Sequence, residues 1–172
     1  MKQNKIEIIS LLSSIIVIIA MLLLIFLPKY YHKSTKTEIK VTFANHTWNR
    51  FAPMDAEFTI TNKKKTYEVA VSLGVVNGFE LDNVPLEIVI TAPNGQKNIL
   101  DRTIVVKKDG NYLGKAYGDV WTTELVIYRE KQFSAEGTYT VSIQNRTQYY
   151  DLENVESLVF SVRPAKKMKN EE

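Results

Sequence analysis

The chain of 172 residues has no cysteine, and that absence excludes disulfides, thiolate metal sites and cysteine nucleophiles together. It leaves the compartment open, because bacterial envelope proteins often lack disulfides. Histidine is nearly as scarce, with only His32 and His46, and one imidazole per region cannot build a histidine-rich metal centre. No carboxylate spacing matches a calcium loop either. A Ser-His-Asp arrangement would have to run through His46, and no Gly-x-Ser-x-Gly elbow accompanies it. Charge of one sign is also in short supply. The net charge of +3 is mild, and the longest basic run is Lys63-Lys64-Lys65. Asn62 before that run suggests a hairpin tip, where such charges are solvated. Lys166, Lys167 and Lys169 are diluted by Glu171 and Glu172, so no stripe for nucleic acid forms. The segment Gly110–Lys115 has phosphate-loop character only superficially: its glycine spacing is one residue short, and Ala116 stands where a metal-binding hydroxyl is needed. Asn45-His46-Thr47 and Asn145-Arg146-Thr147 fit the N-glycosylation pattern, which is short enough to arise by chance. The expectation is a protein that is not an enzyme, with no cofactor and no metal.

What the sequence does have is one long apolar run. From Ile8 to Leu27 only Ser10, Ser13 and Ser14 interrupt it, about the 20 residues a helix needs to span a bilayer. Pro28 closes the run, and Tyr30 and Tyr31 stand where interfacial aromatics belong. Lys2 and Lys5 would suit a cleaved signal peptide, but the run exceeds the usual apolar region of roughly 7–15 residues and no small-x-small site follows. An uncleaved signal anchor is expected. The organisation reads as a tail over 1–7, an anchor over 8–27, a linker over 28–40, a domain over 41–165 and a charged tail over 166–172. Lys29, Lys33, Lys36 and Lys40 outnumber Lys2 and Lys5, which by the positive-inside count favours a cytoplasmic domain.

Beyond the linker the hydrophobic period is two. Phe58 and Ile60, then Tyr67 to Leu73, Leu86 to Ile90, Ile104 with Val106, Leu125 with Ile127, Tyr139 to Ile143, and Leu158 to Val162 alternate with polar neighbours. Turn chemistry separates these runs at Thr61-Asn62-Lys63, Pro93-Asn94-Gly95, Lys108-Asp109-Gly110-Asn111 and Glu136-Gly137. The expected fold is all-β, an antiparallel β-sandwich of seven to eight strands preceded by one transmembrane helix.

Within that domain Asp101 is expected to open a strand and cap the turn before it. Trp48 and Phe51 are expected on the core, and Tyr117 is expected to plug one end of the sandwich. Gly110 and Gly114 stand where a Cβ would strain the backbone. Tyr112, at the tip between them, is expected to project outward beside Tyr149 and Tyr150, making these three tyrosines the candidate partner contacts.

From Trp48 to Val162 the chain resembles the gliding-motility lipoprotein GldH family of Bacteroidota. The resemblance is carried by Trp48, by Pro93 with Gly95, by Asp101, and by Gly110-Asn-Tyr-Leu113-Gly114. It continues through Phe133, Gly137-Thr-Tyr139, Leu152-Glu-Asn-Val155 and Leu158-Val-Phe160. Family members typically carry a lipobox cysteine, whose place the apolar run takes here. The family's Met-Arg segment stands as Thr147-Gln148, and its late glycine pair as Asn154 and Val159. The resemblance implies an accessory component of gliding motility and type IX secretion with no catalytic residues. It also implies a domain outside the cytoplasm, against the lysine count, with other envelope proteins as partners. Joined to the uncleaved anchor, the expectation is a single-pass inner-membrane protein whose domain faces the periplasm, the outer membrane being disfavoured without a lipobox cysteine. The competing reading is a membrane-tethered module that binds a glycan such as polysaccharide or peptidoglycan. That reading requires a row of coplanar exposed rings.

Overall fold

The computed structural model describes residues 36–165, together with Met21. The anchor expected over 8–27, the linker up to residue 35 and the tail from 166 lie outside the described residues. Among the described residues no helix is long and apolar enough to cross a membrane.

Period-two alternation becomes strands because successive side chains point to opposite faces of a sheet. In chain order these are β1 (Thr37–Thr42), β2 (Thr47–Asn49), β3 (Met54–Ile60), β4 (Thr66–Val76), β5 (Asn83–Thr91), β6 (Lys97–Val105) and β7 (Lys107–Lys108). They continue as β8 (Asn111–Tyr112), β9 (Lys115–Tyr117), β10 (Val120–Gln132), β11 (Gly137–Asn145), β12 (Asp151–Glu153) and β13 (Val155–Pro164). One sheet has the order β1-β13-β4-β10-β9 and the other β3-β11-β5-β6. Every pairing is antiparallel. Two short ribbons, β2-β12 and β7-β8, complete the fold.

The inner faces of the two sheets share one core. Val69, Val71, Leu73 and Val75 of β4 and Leu158 and Phe160 of β13 face Phe58, Leu86, Ile88, Val141 and Ile143 of the other sheet. Phe58 touches Phe160 across the sheets, ring centroids 5.3 Å apart. Phe58, Phe133 and Tyr139 form an aromatic cluster at one end, their centroids 4.9 to 5.8 Å apart. Burial at roughly 25 cal/mol per Å² of apolar surface makes this interior the main source of stability. On the outer face the Arg163 guanidinium ties β13 to Glu68 of β4 and Glu124 of β10. Burial works against its charge, but those two carboxylates outweigh it and raise its pKa.

Several expectations are corrected. Nine strands rather than seven or eight make the two sheets, with four more in the ribbons. The polar segment at 61–65 is not a hairpin tip. It joins β3 to β4, which lie in opposite sheets, because turn residues specify a reversal of direction and not a pairing partner. The Pro93-Asn94-Gly95 turn is tight, with Gly95 N–H on Ala92 O (2.8 Å) and Ala92 N–H on Gln96 O (2.8 Å). β6 therefore starts at Lys97, which leaves Asp101 in mid-strand opposite Glu87 rather than capping the turn. β1 begins at Thr37, inside the stretch read as linker, because Thr37 to Thr42 complete the sheet on β13. Trp48 is fully buried, but Phe51 is 65% and Tyr117 75% exposed, so neither ring fills the interior.

The Asp109-Gly110 turn does hold β7 to β8, with φ of 52° and 78° at its two central residues, the geometry a two-residue hairpin needs. Gly114 is more constrained. Its φ is +93°, and a Cβ there would lie 2.2 Å from the Thr122 carbonyl oxygen.

The strands bring function to two poles. One pole gathers the 61–65, 92–96 and 133–136 connections and both ends of the described chain. There Thr66 pairs with Gln132, and Ala165 N–H bonds Thr66 O at 3.0 Å. The other pole gathers the 77–82 loop and both ribbons, joined by Val76 N–H on Asn154 O (2.9 Å) and Leu113 N–H on Val106 O (2.7 Å).

Candidate functional site, an aromatic corner

At the ribbon pole, β2 and β12 pair Asn49 with Asp151, Trp48 with Leu152 and Thr47 with Glu153. Trp48 fixes this ribbon to the core. It is stacked on Phe43 (5.2 Å, 20°), and its Nε1 donates to Ala52 O at 3.1 Å. Asn49 sets the chain that follows: its Nδ2 donates to Asp151 Oδ1 (2.7 Å), and its Oδ1 accepts the Phe51 N–H (2.9 Å). From the facing segment, Gln144 Nε2 donates to Arg50 O (2.6 Å), and Arg50 N–H donates to Tyr150 O (2.8 Å). Buried Asn145 accepts from Thr147 Oγ1 at 2.9 Å and donates from Nδ2 to Trp48 O at 3.3 Å. These hydrogen bonds between residues 48–51 and 144–151, and within them, hold two loop segments in one geometry.

That frame presents large side chains to solvent. The Phe51 and Tyr150 rings lie 5.7 Å apart at 41°, and Tyr150 is 68% exposed. The Arg50 guanidinium carbon sits 5.6 Å from the Phe51 ring centroid. Arg50 Nε is buried and has no hydrogen-bond partner among the described residues. Tyr149 is exposed at the edge of this patch and also borders a cavity of about 280 Å³ with Phe79, Leu81, Asp151 and Asn154. Tyrosine, aromatic and arginine groups gathered on a rigid frame are the composition of an interface hot spot.

Tyr149 and Tyr150, neighbours in the chain, are both exposed, but Tyr112 lies elsewhere. Tyr112 is half-buried against the core, stacked on Trp121 (5.2 Å, 13°) with the Lys107 ammonium 4.9 Å from its ring centroid. Its hydroxyl faces the Phe79 carbonyl at 3.4 Å. The expectation that it projects outward is corrected: stacking on Trp121 of β10 covers one face of the ring and turns it from solvent. Arg50 and Phe51 were missed as surface groups. Aromatic character near Trp48 reads as core from sequence, and only the Asn49 turn shows Phe51 facing out. His46 is committed to Glu156, Nδ1 to Oε2 at 2.7 Å. Among the described residues no group of three His, Asp or Glu side chains is placed to hold a metal.

Comparison with known proteins gives this architecture a family. A gliding motility lipoprotein GldH homolog of Christiangramia forsetii is 26% identical over 102 residues, 58% of this chain and 62% of that protein. The alignment thus spans about three-fifths of the relative's length. Among solved structures, the infectious bursal disease virus VP2 subviral particle aligns over 76% of this chain and 33% of its own at 10% identity. Its TM-score of 0.34 is too slight to bear on fold or function. The family of GldH lipoproteins matches residues 35–162, nearly the whole of the two sheets and both ribbons, and the chain belongs to that family.

Proposed function

We propose that this chain is a noncatalytic, membrane-associated envelope protein that serves gliding motility and type IX secretion by docking a protein partner at the aromatic corner. The observation that carries the reading is the exposed rings of Phe51, Tyr149 and Tyr150, with half-buried Arg50 against Phe51, on a frame fixed by hydrogen bonds. Lipidation of a family member requires a cysteine, and these 172 residues have none. The apolar segment 8–27 takes the role of anchor, as a single span of the inner membrane, with residues 36–165 in the periplasm. Export of a whole domain overrides the lysine count, because long domains translocate largely regardless of flanking charge. The glycan reading is the weaker one, since the Phe51 and Tyr150 rings are tilted by 41° and offer no coplanar platform.

Truncating Phe51 or Tyr150 to alanine is expected to shift stability by no more than about 0.5 kcal/mol, as at other surface positions. Loss of a hot-spot ring weakens binding by about 2 kcal/mol or more, roughly 30-fold. Full-length protein purified from its native membrane should therefore keep its melting temperature in both variants while losing a co-purifying protein. Undiminished co-purification in the double variant would contradict the assignment.

A further inference from the structure

A second groove lies at the opposite pole, beyond the other end of β11. It encloses about 810 Å³ between the 61–65 connection, the start of β6 and the end of β10. Lys63, Lys64, Lys97 and Lys131 line it. Among the described residues none of the four lies within 4.0 Å of a carboxylate, whereas Lys36 pairs with Glu38 and Arg163 with Glu68 and Glu124. Glu136 is engaged by the backbone, accepting the Lys63 N–H at 3.2 Å. Polar and apolar groups share the wall, Ile90, Ala92 and Phe133 among the latter, and several of the polar ones are tied down. Asn98 Nδ2 donates to Tyr128 Oη (2.8 Å), Gln132 Nε2 donates to Lys63 O (3.2 Å), and the Lys131 ammonium lies 4.9 Å from the Tyr128 ring centroid.

We infer that this lysine-lined pole rests on a membrane surface and takes the phosphates of anionic lipid headgroups into the groove. The inference rests on the membrane-associated reading above. Two observations select this occupant over any other polyanion. Among the described residues the four lysines have no carboxylate within 4.0 Å to offset their positive charge. Both ends of the described chain also leave at this pole, Thr37 beside Val162 and Ala165 beside Thr66. The upstream segment that leads to the apolar run carries Lys29 and Lys33, and the downstream segment carries Lys166, Lys167 and Lys169 before Glu171 and Glu172. Docking at this pole would leave the aromatic corner on the far side, free for a partner. Each lysine near an anionic surface strengthens attachment about fivefold, and the attraction fades within a Debye length.

Full-length protein reconstituted into vesicles separates this inference from the anchor. Amine acylation read by mass spectrometry should find Lys63, Lys64, Lys97 and Lys131 protected on phosphatidylglycerol-containing vesicles. They should be reactive on phosphatidylcholine alone, and reactive again in about 1 M salt, where the screening length shrinks to about 3 Å. Lys107 and Lys108, at the ribbon pole, should react equally throughout. Lys97→Gln should lower the docked-to-undocked ratio about fivefold. Equal reactivity on both lipids would overturn the inference, as would protection by soluble polyglutamate in the absence of protection by the anionic vesicles. Vesicle flotation reports on the anchor independently. Flotation with both lipids but no lysine protection leaves the anchor and sinks the inference. Salt-sensitive flotation with anionic vesicles alone supports the inference and sinks the anchor. Flotation with neither sinks both.

Discussion

Gly114 and Gly110 are only four residues apart, yet their backbones are constrained for different reasons. At Gly110 nothing lies within 4 Å of where a Cβ would stand, so a side chain there strains only the positive φ of 78°. At Gly114 the added Cβ would meet the Thr122 carbonyl carbon at 2.9 Å as well as its oxygen, and backbone cannot swing aside. An L-residue in the left-handed region costs about 1–2 kcal/mol. Gly110→Ala should lose about that much. Gly114→Ala should lose clearly more, because β8, β9 and β10 must separate to relieve the clash. Paired thermal melts decide this, and equal losses would show that strain rather than contact governs both sites. From sequence alone the two glycines look alike, because the Thr122 carbonyl reaches Gly114 only through the pairing of β9 with β10.

At the scale of elements, the ribbon of β7 and β8 is too short to be stable on two residue pairs, Lys107 with Tyr112 and Lys108 with Asn111. Its attachment is the Tyr112 ring on Trp121, with Lys107 and the Tyr112 hydroxyl reaching back to the Phe79 carbonyl. Tyr112→Ala should therefore destabilise the domain by about 1–3 kcal/mol, the range for loss of a packed side chain. Partner binding should follow only the loss of folded protein, and a variant that melts normally but binds weakly would return Tyr112 to the surface. Alternation located the strands well: β3, β4, β5, β11 and β13 fall on the runs that period two marks. The pairing of elements was not legible. Residues 61–65 and 93–95 carry similar turn chemistry, yet the first crosses between sheets and the second closes a hairpin. Only the matching of two whole inner faces decides which. β6 shows a related limit. It is a free edge on which seven of its nine residues are exposed, and Lys97, Asp101 and Arg102 on it discourage pairing with another chain.

Across the whole molecule the chemistry divides between two ends of one sandwich. Rings and a guanidinium gather around the β2-β12 ribbon, while lysines that pair with no carboxylate among the described residues gather where both ends of the described chain leave. The family was legible from the order of Trp48, the Pro93 turn, Gly110 to Gly114 and Gly137 to Tyr139, since these are the positions that turns and core fix. The corner was only half legible. Tyr149 and Tyr150 stood out as paired aromatics, whereas Arg50 and Phe51 meet them across about a hundred residues of chain through Arg50 N–H and Tyr150 O. On the proposed function, partners dock at this corner and not at any exposed ring. A photo-crosslinking residue placed in the full-length protein at Tyr150, and separately at Tyr117, tests that claim most directly, because Tyr117 is the more exposed of the two at 75% against 68%. In native membranes a discrete crosslinked protein is expected from position 150 and none from position 117. Crosslinking from 117 with none from 150 would contradict it.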